Sequence, residues 1–218
     1  MSRPVVMVIG AGPGISGSVA RRYAREGYDA ALVGVHDQVL ADLSTELEQL
    51  GATVRHGVAD ITDAAAATEV VRELAEGFGR VDVLHFNPSA FRQKDPLQLT
   101  VDELLTDVAL GVGALLTTLQ AARPSMSSGA RVTATGSMAA DKPWNEAASL
   151  GVQKAGLRNL VRSIDTTLAP DGIRAVSVTV RGTLGKDGPF TPDRVADAIW
   201  DAAHQDEDSW ASEVPYTG

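Results

Sequence analysis

Five consecutive apolar residues, Val5-Val6-Met7-Val8-Ile9, run directly into Gly10-Ala11-Gly12-Pro13-Gly14-Ile15-Ser16-Gly17, and Ser18-Val19-Ala20 then open a helical pattern. A buried strand, a tight glycine turn and a helix start form a cradle for phosphate. The first helical amides have no partners within the helix, and the helix dipole favours an anion there. Two registers fit. Gly12-x-Gly14-x-x-Gly17 is the dinucleotide fingerprint, and Gly10-x-x-x-Gly14-x-Ser16 is a looser pattern with its third glycine replaced. A nucleoside-triphosphate loop is disfavoured, because Ser18 stands where its lysine belongs. An ordinary strand-to-helix turn is the plainer alternative.

The same alternation continues along the chain. Helices are expected over 15–26, 38–50, 64–77, 97–121 (with Pro96 in its first turn), 147–169 and 191–203. Strands are expected over 5–9, 30–33, 53–58, 81–86, 131–135 and 173–180. Residues 206–218 read as an extended tail. The fold expected is α/β: a single domain over 1–218, with a doubly wound, mostly parallel sheet and helices on both faces. Ligands of such a sheet bind at the carboxyl ends of its strands. The loops there carry Gly10 to Gly14, Gly34 to Asp37, Asp60-Ile61, Asn87-Pro88-Ser89, Gly136-Ser137 and Arg181-Gly182-Thr183. Small and polar residues suit turns at any one end, but six such ends point to a crevice.

Composition narrows the partners. A net charge of −9 opposes binding to nucleic acid or to an anionic membrane. The absence of cysteine excludes thiolate chemistry and agrees with a cytoplasmic location. The apolar run at 5–9 is too short for a signal peptide, and no run approaches the ~20 residues of a membrane span. No two histidines are spaced with a carboxylate as metal ligands, so no metal is expected. His85 lies inside a strand pattern and reads as a core residue. His56 and His204 read as surface residues.

These motifs together resemble the short-chain dehydrogenase/reductase family from Val5 to about Ala203. The resemblance implies an NAD(P)-dependent oxidoreductase acting on a small carbonyl or alcohol. It implies that Gly10, Gly12, Pro13, Gly14, Ile15, Asp60, Ile61, Asn87, Pro88, Ser89, Lys154, Gly182 and Thr183 hold the cofactor. It makes Ser137 and Lys154 catalytic. It also implies a homodimer or homotetramer, paired through the helices at 97–121 and 147–169. Two members of the family's catalytic set are missing. Leu150 stands at the tyrosine position four residues before Lys154, and Ala109 at that of the helix asparagine which orders a proton-relay water.

Reduction of a carbonyl needs a proton for the growing alkoxide, and leucine has none to give. Loss of a general acid costs about 10²–10⁴-fold in rate. The substitutes open to the chain are Tyr216 in the tail and Asp141, Lys142 and Glu146 between Ser137 and Lys154, with Trp144 as a possible pocket wall. Tyr23 and Tyr28 belong to the first helix and its exit. Two other functions fit the gap: a dinucleotide-binding sensor or inactive subunit, and a non-redox lyase or isomerase. Gly34 occupies the place of the acid that binds the ribose 2′-hydroxyl of NAD, and His36 could meet a phosphate, so NADP is preferred over NAD. The segment 184–190 reads as a plain loop, too short for a lid.

Overall fold

The computed structural model describes residues 3–218. Met1 and Ser2, which precede the apolar run too short for a signal peptide, lie outside the described residues. The chain runs β1 (Val5–Ile9), α1 (Ile15–Arg25), β2 (Asp29–Gly34), α2 (Asp37–Gln49), β3 (Val54–Val58), α3 (Ala64–Phe78) and β4 (Val83–Phe86). It continues through α4 (Val101–Val108), a π turn (Ala109–Gly113), α5 (Ala114–Ala122), β5 (Arg131–Ser137), α6 (Ala148–Leu168), β6 (Arg174–Val180), α7 (Pro192–Ala203) and β7 (Glu213–Tyr216). The sheet order is β3-β2-β1-β4-β5-β6-β7, and all six pairings are parallel.

Side chains alternate faces along a strand, and here both faces are covered. Val5, Met7 and Ile9 pack into the core beneath α3, α5 and α6. Val6 and Val8 enter the opposite core with α1, α2 and α7. The strand order reverses between β1 and β4. Such a reversal opens a crevice, because the loops leaving the two strands diverge to opposite faces.

Three expectations need correction. Pro96 does not start the long helix. Asp95 accepts bonds from Leu97 and Gln98 in a separate turn, and α4 begins after Thr100. Thr100 and Glu103 form a reciprocal capping box, a Thr-x-x-Glu signal present in the sequence. The helix is then interrupted by the π turn. Finally, the expected tail is part of the fold. Residues 207–209 form a 3₁₀ turn, and β7 adds a seventh strand beside β6. Trp210 anchors it through its ring, over which the guanidinium groups of Arg131 and Arg174 lie at 5.1 and 4.7 Å from the centroid.

By length and composition, Val101–Ser125 is apolar enough to cross a membrane, against the sequence expectation. In this fold Leu115, Leu119 and Ala122 of that stretch belong to the core under the sheet. Among the described residues no group of three or more His, Cys, Asp or Glu is arranged to hold a metal.

Candidate functional site

The glycine turn is tied to β2, where Gly10 and Ala11 N–H both donate to Val33 O at 2.9 and 2.8 Å. Gly14 is the N-cap of α1, at φ 89°, with no side chain capping the helix. A Cβ added there would meet nothing within 4 Å, so the helix start opens onto free space. Gly17 is needed for another reason: its Cβ would lie 2.7 Å from Gly12 O. An uncapped helix start behind a turn this tight suits a diphosphate.

Beside the turn lies a cleft of about 370 Å³. Of the residues expected in the site, Pro13, Gly14, Ile15, Asn87, Ser89, Ser137, Lys154 and Gly182 all line it. The others do not. Gly12 lines a neighbouring cavity with Arg21 and Glu46. Pro88 is buried, and Gly10 packs against its ring. Ile61 has its side chain in the core, leaving only its backbone for a ligand. Asp60 is exposed and accepts bonds from Thr62 N and Oγ1 at 2.9 and 2.7 Å, which hold its carboxyl below the usual range. His36 and Thr183 are exposed beyond the cleft lining. Gly34 packs so closely that a Cβ would sit 2.8 Å from Ala11 O, so no acid fits at that position.

Among the described residues, Lys154 is the one titratable side chain lining the cleft. It is buried, donates from Nζ to Thr135 O at 2.8 Å, and burial pulls its pKa down to about 8. Below it His85 is fully buried, with Nδ1 2.9 Å from Thr133 Oγ1 and Nε2 3.4 Å from Thr135 Oγ1. Burial first, and then the Lys154 charge, push the imidazole pKa down to about 3, so it is a neutral core group. Ser137 Oγ accepts from Ala139 N at 3.2 Å, and its proton remains free to donate. Leu150 lines the cleft one helical turn before Lys154.

None of the substitute acids reaches the cleft lining. Tyr216 lies in β7, donates to Pro189 O and packs on Phe190. Asp141 pairs with Arg158 at 2.6 Å, which holds its carboxyl ionised. Lys142 and Glu146 are exposed. Tyr23 is buried in the core, and Tyr28 packs against it at 5.0 Å. Ala109 is exposed, so the position matched to the helix asparagine faces away from the site. Gly111, in the same π turn, faces α6 instead.

Phe91 and Leu184 also line the cleft and were not foreseen. Phe91 packs against Trp144, with ring centroids 5.8 Å apart. Both aromatic residues come from loops, where no periodicity signals a role. Asp107 ties this side together. It is buried and accepts from Arg92 Nε and Nη2 at 3.0 and 2.9 Å and from Ser149 Oγ at 2.7 Å. A larger groove of about 650 Å³, between α7 and β7, is lined by Tyr216 but by none of the residues expected to hold the cofactor.

The family model for short chain dehydrogenases matches residues 4–185. Sulfoacetaldehyde reductase 2 of Chromohalobacter salexigens is 28% identical over 178 residues, covering 80% of this chain and 70% of that protein. Cis-4-hydroxycyclohexanecarboxylate dehydrogenase of Sinomonas cyclohexanicum is 29% identical over 222 residues, covering 89% and 87%. A Burkholderia cenocepacia short chain dehydrogenase, solved in complex with NADP, superposes with TM-score 0.88 at 23% identity, covering 99% of this chain and 96% of that one. A short-chain dehydrogenase/reductase from Serratia marcescens superposes with TM-score 0.87 at 23% identity, covering 97% and 95%. A match spanning residues 4–185, on a parallel seven-stranded sheet, makes this chain a member of the short chain dehydrogenase family of oxidoreductases.

Proposed function

We propose that this protein is an NADP-preferring oxidoreductase that interconverts a small carbonyl compound and its alcohol. One observation carries the proposal: the uncapped start of α1, Ser137 and Lys154 open into a single cleft. The glycine turn fits the cofactor's diphosphate, since a side chain at Gly14 or Gly17 would fill the cradle or crowd it. When bound, the nicotinamide would supply or accept the hydride. Amides at the start of α1 hold the diphosphate, and Ser137 donates to the substrate oxygen. The Nζ of Lys154 gives the proton that completes the alcohol, taking the place of the missing tyrosine. Phe91 and Leu184, with Leu150, give the substrate an apolar wall. The two relatives, a sulfoacetaldehyde reductase and a cis-4-hydroxycyclohexanecarboxylate dehydrogenase, support the reaction class. The complex of the Burkholderia relative with NADP supports the cofactor. We infer further that the protein self-associates through the outer faces of α4, α5 and α6, where Val101, Leu105, Leu116 and Val152 are exposed.

The test begins with binding. NADPH at 100 times its dissociation constant should add about 2.7 kcal/mol, raising Tm by roughly 5–10 °C. Turnover of a carbonyl panel should then be flat at neutral pH and fall about tenfold per unit above pH 8, as the Lys154 ammonium is lost. No shift with NADPH or NADH removes the proposal. Leu150 favours a second reading, a nucleotide-binding sensor or inactive subunit. Binding without turnover, with activity appearing only in Leu150→Tyr, would select that reading.

A further inference from the structure

Gln153 stands immediately before Lys154 on α6, and its side chain is fully buried. A buried carboxamide must satisfy donors and acceptors on both of its ends. Here Oε1 accepts the Ala90 N–H at 2.9 Å, while Nε2 donates to Ala90 O at 3.2 Å and to Ser149 O at 3.3 Å. One side chain therefore takes both backbone groups of a single residue in the loop after β4. That loop also carries Asn87, Ser89 and Phe91, which line the cleft.

Space for this contact comes from the π turn. A Cβ added at Gly111 would lie 2.4 Å from Gln153 Oε1 and 3.0 Å from its Cγ. A π turn inserts one residue into the helical repeat and so changes which side chains face a neighbour. In this one Gly111 meets α6 while Ala109 faces outward. We propose that Gln153 is a positioning residue: from α6 it supplies the carboxamide that fixes the 87–91 loop as one wall of the cofactor cleft, and Gly111 leaves the gap that admits it. The proposal rests on the nucleotide-binding reading above. The family's carboxamide belongs to the helix that here carries Ala109; in this chain a carboxamide holds the cleft-wall loop from α6 instead.

Three variants, with Gln153→Ser as the reference for the last, test it. Gln153→Leu keeps the bulk and removes the bonds. Gly111→Ala keeps every polar atom and crowds Oε1. Gly111→Asn combined with Gln153→Ser returns a carboxamide from the other side of the gap. Hydrogen exchange of the Ala90 amide is read without nucleotide, NADPH affinity by calorimetry, and kcat and KM on the best carbonyl of the panel. Gln153→Leu should expose the Ala90 amide and weaken NADPH about tenfold, the size expected for one or two lost hydrogen bonds. The loss should appear in KM for NADPH more than in kcat. If Gln153→Leu fails to fold, Gly111→Ala must show the same loss. The double variant should bind NADPH at least threefold tighter than Gln153→Ser alone. Unchanged Ala90 exchange, NADPH affinity within twofold of wild type, or a double variant no better than Gln153→Ser would overturn the proposal. Wild-type protein that binds no nucleotide overturns the functional reading instead, and Ala90 exchange still judges the loop contact.

Discussion

Leu150 and Lys154 sit one turn apart on α6 and draw the chemistry in opposite directions. The leucine offers no proton, while burial brings the lysine to a pKa of about 8, where it can give one at neutral pH. His85, beneath it, makes a prediction about stability. Its folded pKa is about 3 against an ordinary 6.5, so between these values the unfolded chain binds a proton that the folded chain refuses. Its contribution is therefore complete above pH 6.5 and is lost as the pH falls towards 3, at up to about 1.4 kcal/mol per unit. His85→Val should flatten that part of the acid limb, measured as urea midpoints at pH 7, 5 and 4. Equal slopes in the two proteins would mean that the imidazole is not held neutral. The sequence marked His85 as a core residue from its place in a strand. The identity of its partners, Thr133 and Thr135, follows from the register of β4 against β5.

At the scale of elements, α1 and its turn were fully legible. Their signal is local: an apolar strand, glycines at fixed spacing, then a helix. Gly17→Ala tests that turn, because the new Cβ would press on Gly12 O, a backbone atom that cannot rotate away. Overpacking of this kind costs about 1–3 kcal/mol. NADPH affinity should fall at least about tenfold by calorimetry. Unchanged affinity would place the diphosphate elsewhere. The helix beginning near residue 97 was legible only in outline. Pro96 suits a first helical turn, but Asp95 closes a turn of its own and the Thr100–Glu103 box starts α4 four residues later. The π turn was not read from the sequence, and the contact it carries, Gly111 against Gln153, joins helices distant in the chain.

At the scale of the molecule, the sheet carries seven strands because residues 213–216 return to β6. That return also fastens the 184–190 loop, since Tyr216 donates to Pro189 O and packs on Phe190, whose ring lies against Gly182. The exposed apolar residues of α4 to α6 give a prediction at the same scale. Leu105 and Val152, about 59% and 50% exposed, belong to a face that a second copy would cover. Wild-type protein should scatter light as an oligomer of its 22.8 kDa chain, and Leu105→Glu with Val152→Glu should scatter as a monomer. A monomeric wild type would remove the self-association.

The order of strands and helices up to α7, the glycine turn and the retention of Ser137 and Lys154 were all decided by the sequence, because periodicity, glycine spacing and a four-residue helical offset are local properties. Only the tertiary structure decided what surrounds Lys154, which helix supplies the buried carboxamide, and that the last residues complete the sheet. Those outcomes depend on contacts between segments distant in the chain, such as Ala90 with Gln153 and Val180 with Tyr216. Their energies come from burial and from hydrogen bonds that exist only after the layers have packed.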